Sequence, residues 1–175
     1  MNSIKDIKQR IKEDKEFYIP EKKVEKLFWY FIKPFSCHAY KAIKYNRLYC
    51  YYCNKNMLLK YFCRVRYDHY ARRYNFDFLG TTFGRTPFVY HANLVINPHS
   101  YIGDNCVFHG SNIIGINKKN EPCPKIGNNV EFGINASAIG NIVIGDNVYV
   151  GAYSLVNTDI EKDCRIVGIP ARKKI

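Results

Sequence analysis

The stretch that decides the fold is KIGNNVEFGINASAIGNIVIGDNVYVGAYSLV, residues 125–156. Every sixth residue in it is apolar, and the same step also runs from residue 96 to residue 114. The apolar positions are Ile96, Ile102, Phe108, Ile114, Ile126, Phe132, Ala138, Ile144, Val150 and Val156. Of the ten residues that directly follow them, six are Gly and two are Asn. These residue types tolerate positive φ, so we expect the chain to bend there.

A six-residue step suits a short strand of about four residues followed by a turn of about two. Three steps return the chain above itself, about 4.8 Å higher, so that successive coils pair as parallel sheets. Phe83, Val89 and Val95 keep the same step, one residue out of phase. The pattern therefore predicts a solenoid of stacked coils over residues 79–175.

The step breaks once, at GINKKNEPCPK, residues 115–125. These residues are mostly polar, include two prolines and add six residues to one coil. They predict a loop that leaves one edge of the solenoid, and such loops often carry function.

Residues 1–78 are predicted to form a helical N-terminal region. Ile4, Ile7 and Ile11 predict an amphipathic helix over residues 3–17. A second helix is predicted between Pro20 and Pro34, with an apolar face of Val24, Leu27, Phe28 and Phe31. From about His38 to Tyr74 the pattern stays helical, and the predicted buried residues are Leu48, Met57, Leu58, Phe62 and Val65.

The net charge of +12 is concentrated in this helical region. Residues 1–80 carry 18 Lys or Arg against 8 Asp or Glu, whereas residues 81–175 carry 9 against 7. Such a surface attracts nucleic acid, anionic lipid or a phosphorylated substrate, although it also fits a solvated helical face. We expect no nucleic-acid partner and a peripheral membrane contact at most. With no signal peptide or membrane-length apolar run, the sequence predicts a cytoplasmic protein.

Seven scattered cysteines fit a reducing compartment. Cys50-Tyr-Tyr-Cys53, with Cys37, His38 and Cys63 nearby, could bind zinc, but no second paired motif accompanies it. Buried free thiols are the favoured interpretation.

Three segments carry a resemblance to a known family. They are FGRTPFVYHANLVINP at residues 83–98, PKIGNNV at residues 124–130 and VGIPAR at residues 167–172. They resemble the hexapeptide-repeat acyltransferases, within the serine acetyltransferase-like group that includes bacterial polysaccharide O-acetyltransferases. The resemblance implies a left-handed coil, acetyl-CoA as co-substrate, no metal and a homotrimer with active sites between neighbouring coils.

The resemblance places the family's catalytic histidine at His91. Transfer from a thioester to a hydroxyl needs a base, and imidazole suits this task because it titrates near neutral pH. His109 is a second candidate, as a substrate or structural contact. The family's partner carboxylate corresponds to Asp77, provided that one residue is deleted between Asp77 and Gly84.

The resemblance also implies the coenzyme A site. It maps the pantetheine arm to Gly133-Ile134 and Gly151-Ala152, and a thioester contact to Gly115-Ile116. The basic end of the chain, with Arg172 and Lys173, could pair with phosphates.

The acceptor site departs from the serine acetyltransferase pattern. Tyr90 replaces an Asp directly before the histidine, and Pro122-Cys123 replaces an Arg-His pair. A saccharide hydroxyl, stacked on Tyr90, is therefore the favoured acceptor, with a bacterial surface-glycan precursor as the expected substrate. L-serine is the alternative, and a non-catalytic scaffold that binds anionic partners is the third.

Overall fold

The computed structural model describes residues 3–19 and 34–173, with the side chain of Pro34 excepted. The chain divides into two compact units, Met1–Asn75 and Phe76–Ile175. The first contains helices α1 (Ile4–Tyr18), α2 (Pro34–Tyr52) and α3 (Met57–Ala71), followed by a 3-10 turn (Arg72–Tyr74). Within the described residues, no helix is both long and apolar enough to cross a membrane.

The helix predicted over residues 3–17 is confirmed as α1. It begins with a capping box in which Ser3 Oγ accepts from the Asp6 N–H and Asp6 accepts from the Ser3 N–H. An ion pair then fastens α1 to α2, because Arg47 donates to both carboxylate oxygens of buried Asp14, at 2.8 and 3.1 Å. The helix predicted from Pro20 to Pro34, with Val24, Leu27, Phe28 and Phe31, falls in residues 20–33, outside those described.

The predicted buried face of α3 is wrong. Its exposed residues include all four that were expected inside: Met57, Leu58, Phe62 and Val65. Leu48, on α2, is half-buried. The buried side of α3 instead carries Cys63, Tyr67 and Tyr70. Apolar residues occur on both sides of this helix. The side that carries Tyr70 is the buried one, where the Tyr70 ring stacks on Tyr45 of α2 with 5.7 Å between centroids.

The expectation of buried thiols also needs correction. Cys37 and Cys63 are buried, but Cys50 is exposed and Cys53 is half-buried. None of the seven cysteines, all of which lie in the described residues, forms a disulfide. Across residues 3–19 and 34–173, no three His, Cys, Asp or Glu side chains cluster closely enough to hold a metal ion.

The second unit is a three-sided solenoid of short parallel strands. They are β1 (Phe76–Asp77), β2 (Thr82–Phe83), β3 (Phe88–Val89), β4 (Leu94–Ile96), β5 (Tyr101–Ile102), β6 (Val107–Phe108), β7 (Asn112–Gly115), β8 (Lys125–Ile126), β9 (Glu131–Phe132), β10 (Ser137–Ile139), β11 (Val143–Ile144), β12 (Tyr149–Val150), β13 (Leu155–Val156), β14 (Arg165–Val167) and β15 (Arg172–Lys173). The three sheets run β1-β4-β7-β10-β13, β2-β5-β8-β11 and β3-β6-β9-β12-β14-β15, and among the described strands only β15 is antiparallel. The predicted fold class, a mainly β left-handed parallel β-helix preceded by an α-helical region, is confirmed.

The six-residue step predicts the core. All ten residues that it selected between Ile96 and Val156 are at most 1% exposed. Phe108 and Phe132 stack inside the prism with ring centroids 5.5 Å apart. The earlier step fails at Val95, which is 37% exposed, because Leu94 and Ile96 on either side of it point inward instead. Residues 116–124 separate β7 from β8 and form no strand.

The predicted role of the repeat glycines is wrong. Gly133 and Gly145 do not have positive φ. They are required because the next coil passes so close that a Cβ on either would lie 2.6 Å from a backbone nitrogen, of Ala152 or Lys162. The chain bends two residues later, at positive-φ residues of which several are Asn. Three of these form a ladder, with Asn105 donating to Asn129 at 3.1 Å and Asn129 to Asn147 at 2.9 Å.

Candidate functional site

One corner of the prism gathers most of the predicted site residues. Strands β3, β6, β9 and β12 pair in register, with Val89 against Phe108, Phe108 against Phe132 and Phe132 against Val150. The two residues after each strand are therefore stacked in turn. These eight residues, here called the site corner, are Tyr90-His91, His109-Gly110, Gly133-Ile134 and Gly151-Ala152.

His91 lies exposed on the site corner, directly over a glycine of the next coil. A Cβ on Gly110 would lie 2.7 Å from His91 Cβ, and Gly110 has φ of +121°. An L-residue rarely adopts that backbone conformation, so Gly110 meets both requirements of this position. The absence of a side chain at residue 110 allows His91 to stand where it does.

Asn112 holds this glycine in place. Its side chain is fully buried and uses one acceptor and two donors. The amide oxygen accepts from the Gly110 N–H at 2.9 Å, while Nδ2 donates to Gly133 O at 2.7 Å and Ala136 O at 3.1 Å. One side chain thus connects the turn under His91 to the turn predicted to contact coenzyme A.

The other column of the site corner is aromatic and charged. The rings of Tyr90 and His109 stack, with centroids 4.8 Å apart and planes 15° apart. His109 Nε2 lies 2.7 Å from Glu131 Oε1, and both side chains remain partly exposed. This arrangement fixes the position of the His109 ring, while the exposed Tyr90 ring forms a flat surface beside His91.

Asp77 is exposed at the end of β1, where it pairs with Val95 of β4. Among the described residues, no side-chain hydrogen bond or ion pair joins Asp77 to His91. Such bonds can be long before substrate binds, so the role of Asp77 stays a prediction.

The predicted coenzyme A residues lie at three places. Gly133 and Gly151 are buried in stacked coils, and the neighbouring Ile134 and Ala152 are exposed. Gly115-Ile116 lies at the C-terminal end of β7, at the edge of the β1-β4-β7-β10-β13 sheet that is away from the site corner. The loop of residues 116–124 begins there. Arg172 and Lys173 are exposed on β15, which pairs with β14.

Three residues of the site were not predicted as functional: Gly110, Asn112 and Glu131. Gly110 is one residue past the glycine step, and Asn112 looks like an ordinary strand residue. Glu131 and His109 lie on neighbouring coils, but the loop of residues 115–125 separates them in the chain. The one available signal was that Asn112 stands two residues before the inward-pointing Ile114, and therefore on the same face of the strand.

Comparisons with known proteins agree with this fold. Residues 123–158 match the family profile described as Bacterial transferase hexapeptide (six repeats). The chain is 38% identical over 96 residues to a serine acetyltransferase of Synechococcus elongatus, covering 53% of this chain and 39% of that protein. It is also 38% identical over 96 residues to the Escherichia coli K12 protein named putative colanic acid biosynthesis acetyltransferase WcaB, covering 54% of this chain and 59% of that one. The alignments therefore span less than two thirds of either relative.

Among solved structures, the Neisseria gonorrhoeae serine acetyltransferase CysE matches with a TM-score of 0.77 and 25% identity. The superposition covers 98% of this chain and 67% of that one. The similarity in structure thus includes the helical region as well as the β-helix.

Proposed function

Because the chain is a hexapeptide-repeat β-helix protein similar to serine acetyltransferases, we propose that it is an acetyl-CoA-dependent O-acetyltransferase with His91 as general base. One observation carries the proposal: an exposed histidine stands over Gly110, on the same corner as the close-packed Gly133 and Gly151 turns. A base and a narrow backbone surface for a thioester arm are therefore adjacent.

In the proposed reaction, His91 takes the proton of the acceptor hydroxyl as its oxygen attacks the thioester carbonyl carbon. The new C–O bond forms, the C–S bond breaks, and the leaving thiolate of coenzyme A takes the proton back from the His91 imidazolium. Because Gly115-Ile116 lies across the sheet from His91, its N–H could donate to the developing oxyanion only from a neighbouring protomer of the proposed homotrimer. Asp77 is proposed to stabilise the imidazolium of His91.

Coenzyme A is proposed to lie along the exposed edge formed by Ile134 and Ala152. The exposed Arg172 and Lys173 would pair with its phosphates. The proposed assembly is a homotrimer, as the resemblance implies, with the acceptor reaching His91 beside Tyr90.

Two acceptors are proposed. The names of the relatives favour L-serine over the saccharide that the sequence predicts, since most are serine acetyltransferases. The site itself offers the exposed Tyr90 ring, and Pro122-Cys123 stands where an Arg-His pair would contact a charged amino acid. A sugar face can pack on such a ring, and WcaB is named for colanic acid biosynthesis rather than for serine.

The test is release of free thiol from acetyl-CoA in the presence of L-serine, nucleotide sugars and unlinked sugars in parallel. Turnover with one acceptor class identifies the substrate, and it should disappear in His91→Ala. The scaffold alternative expects no turnover with any acceptor, together with coenzyme A binding too weak to detect by calorimetry. Turnover that survives in His91→Ala would remove His91 from the proposed role.

A further inference from the structure

Over its first nine residues, 57–65, the outward side of α3 is apolar, and Asp68 and His69 follow on the same side one turn later. Its large apolar side chains that are more than half exposed are Met57 (69%), Leu58 (82%), Tyr61 (60%), Phe62 (57%) and Val65 (65%). We call these five residues the α3 stripe. With 3.6 residues per turn they fall within a sector of about 140°, opposite the buried side that carries Cys63, Tyr67 and Tyr70. A contiguous apolar surface of this kind marks an interaction site more often than an ordinary solvated face.

Basic side chains lie along both edges of the stripe. On the helical wheel Arg64 falls on one edge and Arg66 on the other. The Arg66 guanidinium is held in place, because Nη2 donates to Tyr70 Oη at 2.7 Å and the group lies 5.6 Å from the Tyr45 ring centroid. Residues 34–73 carry nine Lys or Arg and a single acidic residue, Asp68, which lies 4.0 Å from Arg64.

The arrangement of charges distinguishes between two kinds of partner. A second copy placed face to face on the stripe would bring two strongly basic surfaces together, which is unfavourable. An anionic lipid surface satisfies both features, since apolar side chains enter the boundary of the acyl chains while Arg side chains reach the headgroups.

We propose that α3 lies flat on an anionic lipid bilayer, with the α3 stripe inserted and Arg64 and Arg66 at the headgroups. The interaction is independent of the proposed acetyl transfer, so either can fail without the other. Its consequence is that the protein would meet an acceptor carried at a membrane surface.

The experiment is co-sedimentation of the full chain with vesicles of phosphatidylcholine alone or mixed with phosphatidylglycerol. The wild type should bind only the mixed vesicles, and added salt should weaken binding. Leu58→Asp/Phe62→Asp should weaken it about tenfold or more, because two apolar anchors become charged. Arg64→Gln should weaken it about fivefold, the usual effect of one basic residue near such a surface.

Phe17→Asp is the matched control, because Phe17 on α1 is 55% exposed and lies off the stripe. It should bind like the wild type. Helix content at 222 nm tells loss of binding from loss of folding, and the salt dependence of the wild type needs no variant. Failure of the wild type to bind mixed vesicles would overturn the proposal. Undiminished vesicle binding by the double variant would also overturn it. If, in addition, light scattering showed a lower oligomer mass for that variant, the α3 stripe would be identified as an interface between copies.

Discussion

His91 and Gly110 occupy the same place on successive coils, and their approach leaves no room for a Cβ on residue 110. The proposed base thus depends on a glycine nineteen residues away in the sequence. The glycine in turn depends on Asn112, whose amide oxygen accepts from its N–H. Three residues on adjoining coils therefore determine where the imidazole stands.

Gly110→Ala should lower acetyl transfer by about tenfold or more, because the added methyl displaces His91 from its position. Gly140→Ala is the matched control, since Gly140 also has positive φ, +108°, but a Cβ there would meet nothing within 4 Å. Both variants carry a backbone strain of about 1–3 kcal/mol, so both should lose similar thermal stability from that source. Equal activity in the two variants would show that the contact with His91 has no catalytic consequence.

His91→Ala should lower kcat with the best acceptor by about a hundredfold or more, the usual contribution of a general base. Binding of coenzyme A, measured by calorimetry, should persist because its proposed contacts lie at Gly133-Ile134 and Gly151-Ala152. His109→Ala serves as the comparison and should change KM for the acceptor more than kcat. A larger loss of kcat in His109→Ala than in His91→Ala would exchange their proposed roles.

Asn112→Ala should reduce the free energy of unfolding by about 1–3 kcal/mol, because the Gly110 N–H loses its acceptor and the carbonyls of Gly133 and Ala136 each lose one of two donors. Asn112→Asp should also destabilise, since a carboxylate oxygen would face the carbonyl oxygens of Gly133 and Ala136. Asn141→Ala, at an exposed position, is the control and should change stability by less than about 0.5 kcal/mol. An unchanged free energy of unfolding in Asn112→Ala would mean that water replaces the amide at no cost.

The thiols should differ sharply in reactivity. Burial raises the pKa of the Cys106 thiol to about 12, whereas Cys50 is exposed. At pH 8 Cys106 therefore stays a protonated thiol in the folded protein, and only the thiolate reacts with a disulfide reagent. Mass spectrometry after brief labelling should find Cys50 modified and Cys106 unmodified until denaturant is added. Labelling of Cys106 in the native state would indicate opening of the coil at residues 103–107.

The β-helix core could be predicted from the sequence because each coil buries one residue per side at a fixed step. The same regularity misled the interpretation of the glycines: the pattern records where small residues are required, but not whether φ or close packing requires them. Helix α3 shows the opposite problem, since apolar residues on both of its sides leave the buried face undetermined until Tyr45 and Tyr70 stack. The link between His109 and Glu131 was hidden by the loop that separates their coils in the chain.

The ion pair between Asp14 and Arg47 should dominate the stability of the helical unit. Both side chains are at most 4% exposed, so removal of one leaves the other charged and buried. Asp14→Ala should therefore cost about 3–5 kcal/mol of unfolding free energy, measured by denaturant titration at 222 nm. Asp68→Ala is the control: its pairs with Arg64 and Arg72, each 4.0 Å and exposed, should be worth about 1 kcal/mol or less together. Asp14→Leu combined with Arg47→Met should recover part of the loss, because no charge then remains buried. A double variant less stable than Asp14→Ala would show that the ion pair itself is net stabilising.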